Sequence, residues 1–437
     1  MKKRWRERML RKKLGLSLVA VSALAVLAGC NAGAADTDAG ENTLVVWSFT
    51  DEIEDIVNNY YLEEYDDLDH DIQIVQFPTE EFERILDPLL GTGDEPDVIL
   101  MEQNFAKKYV DSGFLADLDQ FEGIREGSEM TYDYVKELGT SEDGTFVANA
   151  WQAAPGAFFY RYSLAEEYLG VSEPEEVQAL MEDWDGFIDV ARTLRDESDG
   201  EVYMIASVDD LRFAFLGGRE EGWVVDDKLT IDPLVYDLLE TSRVMNEEGL
   251  MLDAPASGAA YFAGMSSDDI FGYSLPTWAL NFWLEPNGGD ATGGDWRMVK
   301  GPSTYFRGGT WIGITEASDM KEEAAHLIEY ATIDPQFLEQ FANDTGDIVS
   351  NEEVVEDVRG DYSNDFLGGQ NHYDAFAEMI PDVQAEFVTG YDQTINDLFM
   401  DHALTPYSKG EVDMDTAIGE FKQRVADFFP YVEVDLD

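Results

Sequence analysis

The chain reads as an α/β protein large enough for two domains, and three observations carry that expectation. Short apolar runs of strand character alternate with helical stretches from residue 44 onward, the pattern of strand–helix–strand units on a parallel sheet. Hydrophobic residues make up 44% of the chain and aromatic residues 12%, so cores can form without covalent staples. Its 437 residues exceed what a single core ordinarily supports.

Strands are expected at 44–47, 72–75 and 98–101, with helices over 53–61, 81–90 and 105–110. That spacing implies right-handed crossovers. After the turn Ser141-Glu142-Asp143-Gly144 the pattern changes. Strands are expected at 145–151 and 156–160, then helices over 184–194 and 233–245. Asp232 would cap the second helix, and Pro233 occupies its first position, where a missing N–H is harmless. Further strands fall at 271–275, 297–299 and 310–315, and an amphipathic helix at 321–331. Near the C-terminus, Ile418, Phe421, Val425 and Phe428 define one face of a helix over 415–428.

The N-terminus carries an address. Eight of the first thirteen residues are Lys or Arg, and the sixteen uncharged residues 14–29 close on Cys30, the only cysteine. As a helix that run rises ~24 Å, short of the ~30 Å hydrocarbon core of a bilayer. A basic start, an apolar run and small residues before a cut site make an export signal. Leu27-Ala28-Gly29-Cys30 resembles the lipobox of bacterial lipoproteins, whose mature chain begins at the cysteine and carries lipid on its sulfur. The expectation is a signal peptide at 1–29, lipid attachment at Cys30 and a lipid-anchored, flexible tether over 30–42. The rest of the chain would work on the extracytoplasmic face of the cell membrane. With Cys30 taken by the anchor, no disulfide forms within the chain.

Charge excludes whole classes of partner. The chain has 28 basic and 92 acidic residues, a net charge of −64. Without residues 1–29 it has 20 basic and 91 acidic residues, a net charge of −71. Such a surface repels nucleic acid and anionic headgroups, so no nucleic-acid partner is expected. It also opposes an anionic solute unless a local basic pocket exists. Acidic residues occupy nearly every segment, and self-repulsion on this scale suits a salt-rich or alkaline setting.

Six segments carry a wider resemblance: Val45-Val46-Trp47-Ser48-Phe49, Glu95-Pro96-Asp97-Val98-Ile99, Gly113-Phe114-Leu115-Ala116-Asp117-Leu118, Pro155-Gly156-Ala157-Phe158-Phe159-Tyr160-Arg161, Trp184-Asp185-Gly186-Phe187 and Gly308-Gly309-Thr310-Trp311. In this order, behind a lipobox, the chain resembles the extracellular solute-binding lipoproteins of bacterial ABC importers, carbohydrate type, similar to maltose-binding protein. The resemblance covers essentially the whole exported region. It implies a two-lobed periplasmic-binding-protein fold of type II, each lobe a mostly parallel sheet flanked by helices, joined by crossing hinge segments. The crossings would fall near 148–154, 303–308 and 345–350. The N-lobe would comprise 43–150 plus 306–346, and the C-lobe 151–305 plus 347–437.

Ligands of open α/β sheets sit at the carboxyl ends of strands. Trp47, Phe49 and Asp51 end the first strand, and Glu102, Gln103 and Asn104 the third. Trp151 lies at the first crossing, Gly309 and Trp311 just beyond the second, and Trp278 after the 271–275 strand. Phe159 and Tyr160 alternate on a strand, so one should face core and Tyr160 is taken as the cleft residue. Arg212 could reach the cleft from the C-lobe, although in so acidic a chain a surface ion pair is the stronger expectation. A sugar offers apolar C–H faces and a hydroxyl rim, so indole platforms beside amides and carboxylates suit it.

Catalysis finds little support in the residues. His70, His326, His372 and His402 are far apart, and no nucleophile elbow, Walker loop or dinucleotide fingerprint occurs. Asp67 to Asp71 begin like a calcium loop, but Ile72 and Pro78 stand where Gly and Glu are needed. No metal or other cofactor is expected. The function that the resemblance implies is a monomeric receptor that binds a mono- or oligosaccharide and delivers it to the transmembrane subunits of an ABC permease. An exported glycan hydrolase, a surface scaffold or adhesin, and a binder of a cationic solute such as a polyamine remain as rivals.

Overall fold

The computed structural model describes residues 40, 42–360 and 362–436. The signal peptide at 1–29, Cys30 and nearly all of the tether lie outside the described residues. Eleven strands follow in the described residues: β1 (Thr43–Ser48), β2 (Asp71–Gln76), β3 (Val98–Glu102), β4 (Asn149–Ala150), β5 (Pro155–Arg161), β6 (Val224–Val225), β7 (Lys228–Leu229), β8 (Gly272–Pro276), β9 (Trp296–Val299), β10 (Tyr305–Phe306) and β11 (Thr310–Ile314).

Apolar runs became strands where helices cover both faces. β3 is Val-Ile-Leu-Met-Glu with its first four residues fully buried, as expected of a central parallel strand. The first sheet runs β2-β1-β3-β11-β4, with β1 parallel to both β2 and β3. β11 returns antiparallel to β3 and β4, bringing residues 310–314 beside a sheet that began at residue 43. In the second sheet β5 is central, and β8, β9 and β10 all pair with it antiparallel.

The two-lobed α/β fold thus stands, with one correction to its strand directions. The named strands of the second sheet are antiparallel, and parallel pairing there is confined to isolated bridges, Tyr203–Ile270 and Ile205–Met251. Segments reaching β5 return beside it in the opposite sense, which periodicity does not report. Helix signals were more direct: Asp232 accepts from Leu234 N at 2.8 Å, with Pro233 opening Pro233–Glu247. In Met414–Phe428, Ile418, Phe421 and Val425 are buried, but Phe428 is 60% exposed. It is the last helical residue, and its ring turns onto Phe429.

Three extended passages run side by side between the sheets. Residues 151–154 join β4 to β5, residues 307–309 join β10 to β11, and residues 346–350 run alongside. Backbone bonds tie them: Ala153 N to Ile348 O (2.8 Å), Ser350 N to Trp151 O (3.0 Å) and Arg307 N to Ala154 O (3.0 Å).

Trp311 belongs to this packed region. It is 1% exposed, and its Nε1 donates to Val135 O at 2.9 Å. Trp311→Ala should therefore cost about 3–5 kcal/mol of stability, the usual range for deleting a buried aromatic. Urea unfolding followed by circular dichroism checks this, and a loss below ~1 kcal/mol would contradict the core assignment.

Candidate ligand-binding cleft

A cavity of about 590 Å³ opens between the two sheets, within the range of roughly 300–1,000 Å³ usual for small-molecule sites. One wall is built from strand ends of the first sheet. Phe49, Thr50 and Asp51 follow β1, Glu102 closes β3, and Gln103 and Asn104 open the helix Gln103–Val110. Facing them are Arg212 and Phe213 of the helix Asp209–Gly217, then Trp278, Phe282 and Trp283 after β8. Gln152, Arg307, Gly308 and Gly309 line it from the crossing passages, and Glu52, Thr79, Glu80, Ser257 and Thr310 complete the lining.

Local chemistry explains the positions. Glu102 ends its strand by capping the next helix, its carboxylate accepting from Asn104 N at 3.0 Å. Gly308 has φ +76°, and a Cβ there would lie 2.6 Å from Trp278 Nε1, so only glycine fits. Gly308 N donates to Gln103 Oε1 at 2.6 Å, and Gln103 N to Gly309 O at 3.3 Å. From the other side Trp278 Nε1 donates to Arg307 O at 2.9 Å. Its ring meets Trp283 edge to face, with centroids 4.9 Å apart. One short crossing passage therefore positions groups from both walls.

The cleft joins a second recess of about 460 Å³ through Asp51, Glu52 and Phe282, with Tyr60 and Phe341 beyond them. Phe282 stands 46% exposed between the two.

Charge is distributed unevenly along the cleft. Arg212 Nε bonds Asp209 Oδ1 at 2.7 Å, and Arg307 Nη2 bonds Asp209 Oδ2 at 3.4 Å. Both guanidiniums lie 4.2 Å from the Phe213 ring centroid. Across the cleft, burial first and then the nearby Asp347 charge push the Glu52 carboxyl up to about 8, against the opposing bond from Trp151 Nε1 at 3.2 Å. Burial also pushes Glu102 up to about 7, though Asn104 and Arg307 oppose it. Behind the floor, burial pushes Asp347 up to about 7, while bonds from Thr277 Oγ1 (2.5 Å) and Ile348 N (2.9 Å) oppose it.

Six of the ten expected cleft residues line the cavity: Phe49, Asp51, Glu102, Gln103, Trp278 and Gly309. The placement of the other four is corrected, because all are buried in cores. Trp47 packs on Phe77 at 4.6 Å, Trp151 lies behind Glu52, and Trp311 behind Gly309. Tyr160 donates to Ser172 O at 2.6 Å; β5 has a core on each face, so neither Phe159 nor Tyr160 reaches the cleft. Arg212, for which the cleft was the lesser of two expectations, faces the cavity and pairs there with Asp209. Phe213, Phe282, Trp283, Gln152 and Arg307 were not anticipated. For Arg307 one signal was available: it immediately precedes the Gly308-Gly309 motif.

The buried carboxyls make stability depend on pH with a definite sign. Glu52 and Asp347 titrate from 4.5 and 3.8 when exposed to about 8 and 7 when folded. Between those limits the folded chain holds more protons than the unfolded one, so this contribution is full below the lower values and lost as pH rises. Glu52→Gln, which cannot ionise, should remove a slope of up to ~1.4 kcal/mol per pH unit. Melting curves across this window check it, and parallel profiles for variant and wild type would contradict it.

With the geometry in place, comparison with known proteins can be stated. No curated protein matches the chain by sequence. Solved structures match its fold. The crystal structure of an extracellular solute-binding protein of family 1 superposes with a TM-score of 0.74 at 19% identity, over 90% of this chain and 100% of that one. The sugar-binding protein MalE from Xanthomonas citri gives 0.72 at 15% identity, over 89% and 97%. The galacto-N-biose-/lacto-N-biose I-binding protein of an ABC transporter from Bifidobacterium longum, in complex with lacto-N-biose, gives 0.70 at 15%, over 92% and 100%. Residues 37–366 match the family model described as bacterial extracellular solute-binding protein. The chain accordingly belongs to the bacterial extracellular solute-binding proteins, a family of binding proteins rather than enzymes.

Proposed function

We propose that this protein is the lipid-anchored, extracytoplasmic receptor of an ABC importer, which captures a carbohydrate between its lobes and presents it to the permease. The observation that carries this is the pairing of Trp278 and Trp283 on one wall with the amides and carboxyls of Gln103, Asn104 and Glu102 on the other. Indoles offer flat faces to sugar C–H groups, while amides and carboxyls bond the hydroxyl rim. Sugar complexes among the structural neighbours, such as those with β-1,6-galactobiose and lacto-N-biose, support the ligand class.

In this reading the N-lobe comprises 43–150 plus 306–346 and the C-lobe 151–305 plus 347–437. A sugar touching both lobes shifts an open–closed equilibrium by its differential affinity, and the closed form docks on the transmembrane subunits. Cys30 carries the lipid, and ATP is hydrolysed by other subunits. Two guanidiniums in the cavity count against a cationic solute.

The test is a thermal-shift and tryptophan-fluorescence screen of mono- and oligosaccharides. A bound sugar should stabilise the protein by about 2.7 kcal/mol at a hundredfold excess over Kd. Trp278→Ala should weaken binding at least about tenfold, equivalent to ~1.4 kcal/mol. Binding unchanged in that variant removes Trp278 from the site, and turnover of an oligosaccharide would reinstate the hydrolase. For the anchor, Cys30→Ala should release the protein from the membrane fraction into the soluble one, and retention there would refute lipid attachment at this residue.

A further inference from the structure

The two cleft arginines are the least expected feature of so acidic a chain. With 92 acidic against 28 basic residues, a guanidinium finds a carboxylate almost anywhere on this surface. Arg212 and Arg307 instead face a cavity and divide a single carboxylate, Asp209, between them. Its neighbour Asp210 does not supply the missing charge: its Oδ1 accepts from Tyr261 Oη at 2.8 Å and its Oδ2 from Ser207 N at 3.0 Å. Burial first, then the adjacent Asp209, pushes the Asp210 carboxyl up to about 7 despite those bonds. Two cations therefore share one directly bonded carboxylate, while Asp51, Glu52, Glu80 and Glu102 also line the cavity without an ion pair to either guanidinium.

Their hydrogen-bonding capacity is also largely unspent. Each guanidinium has five N–H donors in a planar fork. Among the described residues, Arg212 uses its Nε and Arg307 its Nη2 on protein acceptors, with both side chains only 13% and 12% exposed. Stacking on Phe213 holds the two forks in place, so a guest would meet them already ordered. Arg307 also lies 5.3 Å from the Trp283 ring centroid, within the reach of one sugar ring and its substituent. Glu102, the carboxyl on the facing wall, spends an oxygen on Asn104 N, and its raised titration range weakens its repulsion of an anion.

We propose that the cleft selects a saccharide carrying an acid group, a carboxylate or a sulfate ester, and that Arg212 and Arg307 grip that group while the indoles hold the ring. This rests on the carbohydrate-receptor reading above and narrows its substrate class. A fork of two guanidiniums matches a planar or tetrahedral oxyanion, and the remaining donors would be satisfied in the complex.

The test uses the wild-type exported chain and isothermal titration with a hexuronate oligosaccharide, its carboxyl-reduced neutral counterpart, and a sulfated oligosaccharide. At least one acidic form should bind about tenfold or more tightly than the neutral one, with that advantage shrinking in high salt. Preference for the uronate assigns the carboxylate, and preference for the sulfated sugar assigns the ester. Arg307→Gln and Arg212→Gln should each lower affinity for the acidic form at least tenfold more than for the neutral form. The wild-type ligand comparison stands even if a variant fails to fold. Neutral sugar bound as tightly as both acidic forms overturns the proposal and leaves the receptor intact. No binding of any saccharide overturns both.

Discussion

Three extended passages, hydrogen-bonded side by side through Ala153, Ser350 and Arg307, hold the two sheets in one relation, and the cleft exists because of them. Each passage also presents cleft groups. Residues 151–154 bring Gln152 to the lining, residues 307–309 bring Arg307 and the two glycines, and residues 346–350 place Asp347 behind the floor. The passage at Gly308 is the tightest point. Its N–H is held by Gln103 of one wall, while the adjacent carbonyl holds the Trp278 indole of the other. A Cβ at Gly308 would push into that indole, so backbone conformation and platform position are one constraint.

The indoles divide by what lies behind them. Trp47, Trp151 and Trp311 are buried beneath the strand ends and passages, and they fill volume that no ligand reaches. Trp278 and Trp283 sit in the helical segments after β8, half-buried against the core with part of each side chain lining the cavity. Identical side chains thus serve as core and as platform. The difference is whether a sheet is stacked over them.

Electrostatics follows the same geometry. The acidic surface is solvated, but Glu52, at the start of the helix after β1, and Asp347, in the third passage, are buried where water no longer stabilises their charge. That wall of the cavity is therefore less negative than the composition implies. Opposite it, Arg212 and Arg307 bring positive charge to a cavity that Asp51, Glu52, Glu80 and Glu102 also line. Local charge at the cavity therefore differs from what the net charge alone suggests.

Much of the fold was legible in the chain itself. Continuous apolar runs at β1, β3 and β11, the Asp232-Pro233 cap and the size of the core set the elements and their class, because burial on both faces and helix starts leave local marks. The Glu102-Gln103-Asn104 end of β3 was legible for the same reason, since a strand terminus is a local event. Strand direction in the second sheet was not, because β5 pairs with segments more than a hundred residues away in sequence. Nor could sequence separate Trp278 from Trp311 or bring Arg212 beside Arg307. Periodicity reports which face of an element is apolar, whereas the occupant of the opposite wall depends on how distant passages cross. That was decided only by the packing of one sheet against the other.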